Sequence, residues 1–83
     1  MRLVVLRAAR QDLRRLAAEV ASRVATAIDG LAEDPRPPGC RLLRDRDSRT
    51  WRVRVGDWRV LYEIDDAAGT VTILRVLHRS KAY

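Results

Sequence analysis

Two runs of alternating apolar and polar residues meet at Gly56-Asp57, and this junction constrains the fold more than any other stretch. One run ends at Val55 and the other begins at Trp58. Gly-Asp between two such runs predicts a two-residue hairpin turn, because the turn needs a positive φ, which glycine adopts without strain. We therefore predict an antiparallel hairpin in which Val55 faces Trp58.

The predicted hairpin has two chemically different faces, because side chains alternate across a strand. One face is apolar and forms the predicted core, with Trp51, Val53, Val55, Trp58, Val60, Tyr62 and Ile64. The other face carries Arg54 directly opposite Arg59, with Arg52 two residues away. Like charges placed opposite each other destabilise a sheet. Either these arginines extend into solvent or an anion binds between them.

A third alternating run follows a loop that we predict at residues 66–69. This loop would pair Ile64 with Val71 in a second hairpin. Continued without interruption, the register puts Leu77 on the core face and His78 on the arginine-bearing face. A shift of one residue would reverse both assignments.

The chain before the hairpin predicts a strand at residues 2–6 and helical structure from Ala8 to Leu31. Apolar residues recur there at spacings of three and four: Leu13, Leu16, Val20, Val24, Ile28 and Leu31. The segment 17–19 fits either continuous helix or a connection between two helices. Asp34-Pro35 ends the helical region, because a residue before proline disfavours helical backbone. One α+β domain over residues 1–83 is predicted, with helices packed on a small antiparallel sheet.

The charge of the chain indicates a polyanionic partner. Its 83 residues carry a formal net charge of +6, and all of the Lys and Arg residues except Lys81 are arginine. Such a basic balance is typical of nucleic-acid binding, although codon bias in a GC-rich genome would also enrich arginine. No apolar run has the length of a membrane span or a signal peptide, so we expect a cytoplasmic protein with no membrane partner. One cysteine permits no internal disulfide.

Motifs of the common hydrolases, phosphate loops and metal centres are missing from the sequence. One reaction class remains open to arginines, a histidine and a terminal tyrosine. RNA carries its own nucleophile, the 2′-hydroxyl, which an enzyme can orient in line with the neighbouring phosphate while guanidinium groups stabilise the developing charge. This chemistry needs neither a metal nor a cofactor, and we predict neither.

Residues 51–65, WRVRVGDWRVLYEID, and the ending HRSKAY resemble the RelE/ParE toxin superfamily, and the RelE branch more closely. The segment 31–37 and Leu42-Leu43 extend the resemblance upstream. It implies a helical hairpin on a small sheet and the toxin of a type II toxin–antitoxin pair. RelE-type members cleave mRNA in the ribosomal A site without metal, and a cognate antitoxin neutralises them. Two alternatives remain open: a ParE-type inhibitor of DNA gyrase, and an inactive relative that only binds its antitoxin.

The resemblance also assigns roles by position. Arg52 and Arg54 correspond to basic substrate-binding residues, which are lysines in some members. Since arginine does not deprotonate, we expect these two to bind phosphate only. The predicted catalytic residues are Arg59, His78, Arg79 and Tyr83. Some members carry an arginine where this chain has Leu77, and either His78 or Arg79 would take over its role.

Overall fold

Two α-helices pack on a five-stranded sheet in the computed structural model, which describes residues 1–43 and 49–81. The elements in chain order are β1 (Arg2–Val5), α1 (Arg7–Arg14), α2 (Ala18–Glu33), β2 (Arg41–Leu42), β3 (Thr50–Val55), β4 (Trp58–Asp65) and β5 (Thr70–His78). The strand order is β1-β5-β4-β3-β2, with β1 parallel to β5 and the other pairs antiparallel. The predicted α+β class is confirmed, and the parallel β1 makes the sheet mixed.

The central hairpin forms as predicted. Gly56 has a φ of 58°, and Asp57 does not share this positive φ, so the left-handed residue takes the first turn position. Val55 pairs with Trp58, and Arg54 pairs with Arg59. The turn therefore fixes the register that places two arginines side by side.

The core lies between the helices and the sheet face predicted to be apolar. Its buried side chains are Ala9, Val24, Ile28, Leu31, Val60, Tyr62, Val71, Ile73 and Val76. Trp51 and Trp58 are half-buried and pack against this cluster. The Tyr62 hydroxyl donates a hydrogen bond to the Pro35 carbonyl at 2.8 Å, which fastens the segment after α2 to the centre of the sheet.

Strand β5 follows the predicted register only as far as Ile73. Ile64 pairs with Val71 as predicted, but the ladder then contains a β-bulge. One residue of β5, Leu74, is extra, because Ile73 pairs with Tyr62 whereas the next paired residue on β5 is Arg75. A bulge of this kind puts two residues of one strand opposite one residue of its partner.

The bulge reverses the predicted sides of Leu77 and His78, and both predictions were wrong. Val76 takes the core position opposite Val60, Leu77 lies opposite Arg59, and His78 lies opposite Trp58. The physical reason is the spacing of the buried side chains. Ile73 and Val76 are both fully or almost fully buried although they are three residues apart, and period-two alternation reaches that spacing only with an extra residue.

The helical region is divided into two helices, as the resemblance implied. The break covers residues 15–17 and so begins two residues before the segment 17–19. The first helix ends at Arg14, and the backbone N–H groups of Arg15 and Leu16 bond to carbonyls of the last turn. The second helix ends at Glu33, and Asp34 is extended as the following proline requires. Within residues 1–43 and 49–81, no helix is long and apolar enough to cross a membrane.

Candidate functional site

Four arginines share the side of the sheet that faces away from the helices, and we call this surface the arginine face: Arg41, Arg52, Arg54 and Arg59. Arg41 pairs with Arg52 and Arg54 pairs with Arg59, so the cations occupy three adjacent strands. Neighbouring strands lie only about 4.8 Å apart, which brings these side chains within reach of one anion. The predicted convergence of Arg52, Arg54 and Arg59 is confirmed, and Arg41 joins them.

The electrostatic cost of this arrangement is visible at Arg52. Burial lowers the pKa of its guanidinium, and repulsion from Arg59, Arg41 and Arg54 lowers it further. A guanidinium stays protonated across the physiological range, so repulsion is relieved by an anion rather than by loss of a proton. A bound anion would therefore relieve the repulsion among the cations of the arginine face.

Arg59 is the most constrained residue of the arginine face. Only 7% of its surface is exposed, although arginine is rarely buried to this degree without a partner. Its Nη1 donates to the carbonyl oxygens of Gly56 and Trp58, both at 3.1 Å. Its Nε is buried and finds no hydrogen-bond acceptor among the described residues. The hairpin turn thus orients the guanidinium, and its buried Nε can reach an added acceptor only if the side chain moves.

A cleft of about 290 Å³ lies at the edge formed by β2 and β3. Pro38, Gly39 and the side chains of Arg41, Arg52 and Arg54 line it. A groove with cations on several sides suits an extended polyanion, because the planar guanidinium fork binds phosphate oxygens in pairs. The arginine face can therefore follow a phosphate backbone as well as hold a single phosphate.

Arg79 lies at the same end of the sheet as Arg59. Its backbone N–H donates to the Asp57 carbonyl at 2.8 Å, and its Nε lies 3.9 Å from the Asp57 carboxylate. The side chain is largely exposed, so this ion pair is weak and leaves the guanidinium free to move. One two-residue turn thus holds both Arg59 and the backbone of Arg79.

His78 is separated from the arginine face by the sheet. Its ring meets Trp58 edge-on, with 5.3 Å between ring centroids, on the side where the helices pack. The Ser80 backbone N–H donates to Nδ1, which gives Nδ1 the role of acceptor. The prediction that His78 lies near Arg59 on the arginine face is wrong, because the bulge in β5 turns His78 to the other side of the sheet. The predicted catalytic role of His78 therefore requires an RNA that reaches around the end of β5.

Tyr83 lies outside the described residues, so its predicted role stays a prediction. Among residues 1–43 and 49–81, no group of three or more His, Cys, Asp and Glu side chains could hold a metal ion. Arginine is a permanent donor, and the described part of the arginine face therefore supplies binding and charge stabilisation rather than a proton acceptor.

Sequence reasoning missed Asp12, a buried carboxylate on α1 that bonds to β5 at the bulge. Its burial beside Arg75 and the Val76 N–H could not be read from a polar position within a helical run. No signal for the bulge was available in the sequence either, because Val76 and Leu77 are both apolar.

The fold and the arginine face together define a small α+β protein with four arginines on one face of its sheet. The family model for the ParE toxin of the type II toxin–antitoxin system, parDE, matches residues 3–83. Toxin RelG of Mycobacterium tuberculosis is 41% identical over 76 residues, which covers 90% of this chain and 86% of that protein.

Solved structures of toxin–antitoxin complexes also contain chains that match this one. The toxin–antitoxin complex RelBE2 from Mycobacterium tuberculosis contains a chain that matches with a TM-score of 0.83 at 34% identity, over 94% of this chain and 96% of that one. The archaeal RelE–RelB complex from Pyrococcus horikoshii OT3 matches with a TM-score of 0.83 at 24% identity, over 98% and 97%, and supports the fold alone. The chain therefore belongs to the RelE/ParE superfamily of type II toxin–antitoxin toxins, as its sequence predicted.

Proposed function

We propose that this toxin is a metal-independent endoribonuclease that cleaves mRNA on the ribosome and thereby inhibits translation. The observation that carries the proposal is the buried guanidinium of Arg59, whose Nε lacks an acceptor among the described residues while its Nη1 is fixed by the hairpin turn. A phosphate oxygen is a suitable acceptor for such a donor. The RelE-type names of the relatives agree with this activity.

The RNA supplies the nucleophile in this reaction. The 2′-oxygen forms a bond to the adjacent phosphorus while the bond from phosphorus to the 5′-oxygen breaks, which leaves a cyclic phosphate and a free 5′-hydroxyl. Arg59 holds the scissile phosphate and stabilises the charge that develops on its oxygens. Arg52 and Arg54 bind phosphates along the strand and keep the nucleophile in line.

Two proton transfers accompany the bond changes, from the 2′-hydroxyl and to the 5′-oxygen. Arginine cannot accept a proton, so the arginine face needs help from another group. Tyr83 is the candidate we favour, followed by His78. Arg79 assists at the same end of the sheet by adding positive charge near the turn.

The proposed partners are the ribosome, its mRNA and a cognate antitoxin protein, with the reaction in the cytoplasm. Several solved relatives are complexes of a toxin with its antitoxin. The net charge of +6 favours an antitoxin whose contact segment is acidic. The proposed cleavage uses no cofactor.

Primer extension on a message from cells that express this chain alone tests the proposal. We expect cuts within codons that disappear when translation of that message is blocked. Arg59→Ala and Tyr83→Ala should abolish the cuts and the growth inhibition, whereas the control Arg2→Ala, at an exposed position on β1, should leave both intact. Growth inhibition that persists in Arg59→Ala and Tyr83→Ala would refute the assignment.

A second candidate is a ParE-type inhibitor of DNA gyrase, which the description of the matching family model favours. Growth arrest with an uncut message, together with loss of DNA supercoiling by purified gyrase, would establish that function instead. Absence of any toxicity would identify an inactive, antitoxin-binding relative.

A further inference from the structure

The carboxylate of Asp12 holds three donors at the β5 bulge. Arg75 donates from Nε to one carboxylate oxygen at 2.7 Å and from Nη2 to the other at 3.1 Å. The backbone N–H of Val76 donates to the first of these oxygens at 2.9 Å. Asp12 itself is only 9% exposed and its bond to Val76 is buried, whereas the Arg75 side chain is 45% exposed.

The Val76 N–H is the donor that matters for the strand. A bulge interrupts the ladder of β-sheet hydrogen bonds and leaves backbone groups without their ordinary partner. A buried N–H with no partner is costly, so the bulge needs an acceptor from elsewhere. Asp12 supplies it from α1, an element more than sixty residues away in sequence.

The bulge in turn decides what the arginine face contains. With the bulge, Leu77 lies opposite Arg59 and the backbone of Arg79 reaches the Asp57 carbonyl of the turn. Without it, β5 would advance by one position after Ile73, and Leu77 would face Trp58 in place of His78. The Arg79 N–H, which bonds to the Asp57 carbonyl in the observed register, would then lie one position farther along the strand.

We propose that Asp12 is a positioning residue that sets the register of the C-terminal half of β5 and so places Leu77 opposite Arg59 and the backbone of Arg79 at the hairpin turn. The effect on cleavage rests on the proposed function, whereas the effect on register does not. Asp12 touches no substrate in this account. It acts through Val76 and Arg75, and its contribution differs from that of a residue that only stabilises the fold.

The register can be read directly from nuclear Overhauser contacts of the Trp58 indole. The wild type should show the contact to the His78 ring that the 5.3 Å centroid distance requires. In Asp12→Ala, which removes the acceptor, we expect this contact to weaken and a contact from Trp58 to Leu77 to appear. The matched control Asp29→Ala, at an exposed carboxylate on α2, should keep the wild-type pattern.

The consequence for activity can be separated from folding by dividing the cleavage rate by the folded fraction. A misplacement of about 1 Å at a catalytic centre can cost about a hundredfold in rate, and we expect a loss of that order per folded molecule in Asp12→Ala. Deletion of Leu74 removes the extra residue and should preserve the pairing of Arg75, Val76 and Leu77 with β4. In that background Asp12→Ala should cleave as well as the deletion alone.

Two results would overturn the proposal. One is an Asp12→Ala protein that keeps the contact between Trp58 and His78 and cleaves normally per folded molecule. The other is a folded Leu74 deletion in which Asp12→Ala causes the same additional loss as in the wild type. If the wild type cuts no message but Asp12→Ala shifts the contacts of Trp58, the proposed ribonuclease fails and the positioning role stands.

Discussion

Arg54→Gln should make this protein more stable and less active. Arg54 lies directly opposite Arg59 in the β3–β4 register, so the two cations repel each other in the folded chain. Glutamine keeps the length and polarity of the side chain but removes the charge. Removing the charge should relieve the repulsion and raise stability, whereas the loss of a cation should weaken anion binding and lower activity.

The repulsion between the two guanidinium groups sets the size of the expected gain in stability. Two unit charges about 7 Å apart, in an effective dielectric between about 40 and 80, repel each other by about 0.6–1.2 kcal/mol before screening. Salt at about 0.15 M screens this by roughly half, because the Debye length is then about 8 Å. For a domain of this size, about 0.4 kcal/mol raises the Tm by about 2–3 °C. The shift should be about 3–6 °C at about 0.01 M salt and negligible at about 1 M.

Thermal unfolding at these three salt concentrations is the assay, with RNA cleavage measured on the same preparations. Cleavage should fall about tenfold or more, the cost of one charged hydrogen bond to phosphate. Arg2→Gln is the control, because Arg2 is an exposed strand arginine paired with Thr70 rather than with a cation. A lower Tm in Arg54→Gln, or a gain that does not depend on salt, would refute the reasoning.

Three further predictions concern stability. Tyr62→Phe should lower the free energy of unfolding by about 1 kcal/mol in urea titrations, because it removes the hydrogen bond to the partly buried Pro35 carbonyl. Gly56→Ala should cost about 1–2 kcal/mol at its φ of 58°, whereas Gly30→Ala, which has open space within α2, should gain about 1 kcal/mol. The third prediction concerns the pH dependence of the stabilisation by Asp12. Burial raises the pKa of the Asp12 carboxyl, but the hydrogen bonds from Arg75 and from a backbone N–H outweigh burial. The net effect lowers the pKa below its ordinary 3.8. Its stabilisation is therefore complete above pH 3.8 and is lost as the pH falls through the lowered value, so the stability difference between wild type and Asp12→Asn should shrink in acid.

Each of these predictions has a clear contrary result. Equal urea midpoints for Tyr62→Phe and wild type would show that the hydroxyl bond adds nothing. A neutral Gly56→Ala would mean that the turn tolerates another conformation. A difference between wild type and Asp12→Asn that stays constant in acid would show that the ionised carboxylate is not what stabilises the bulge.

The sequence was sufficient for the central hairpin because Gly56 defines the turn and strict alternation then defines both faces. It was insufficient for β5 because Val76 and Leu77 are both apolar, so either one could be assigned to the core. The choice between them depends on an acceptor for a backbone N–H, and Asp12 provides that acceptor only after α1 has packed against β5. Long-range contacts of this kind leave no local pattern in the sequence.

The same limit applies to the candidate site. Alternation placed Arg54 and Arg59 opposite each other, and the structure confirms it. The sequence could not show that Arg59 is buried with its Nε lacking an acceptor in the described part of the chain, since burial depends on neighbouring strands. It also could not show that β2 adds Arg41 to the arginine face.

Single-turnover cleavage of a message on purified ribosomes, with Arg59→Ala compared with Arg2→Ala, tests the central claim most directly. If Arg59 holds the scissile phosphate, Arg59→Ala should cleave about 100–1,000-fold more slowly than wild type, the cost of removing one preorganised donor to a developing charge. Arg2→Ala should match the wild type. An Arg59→Ala protein that is folded and cleaves at the wild-type rate would contradict the account.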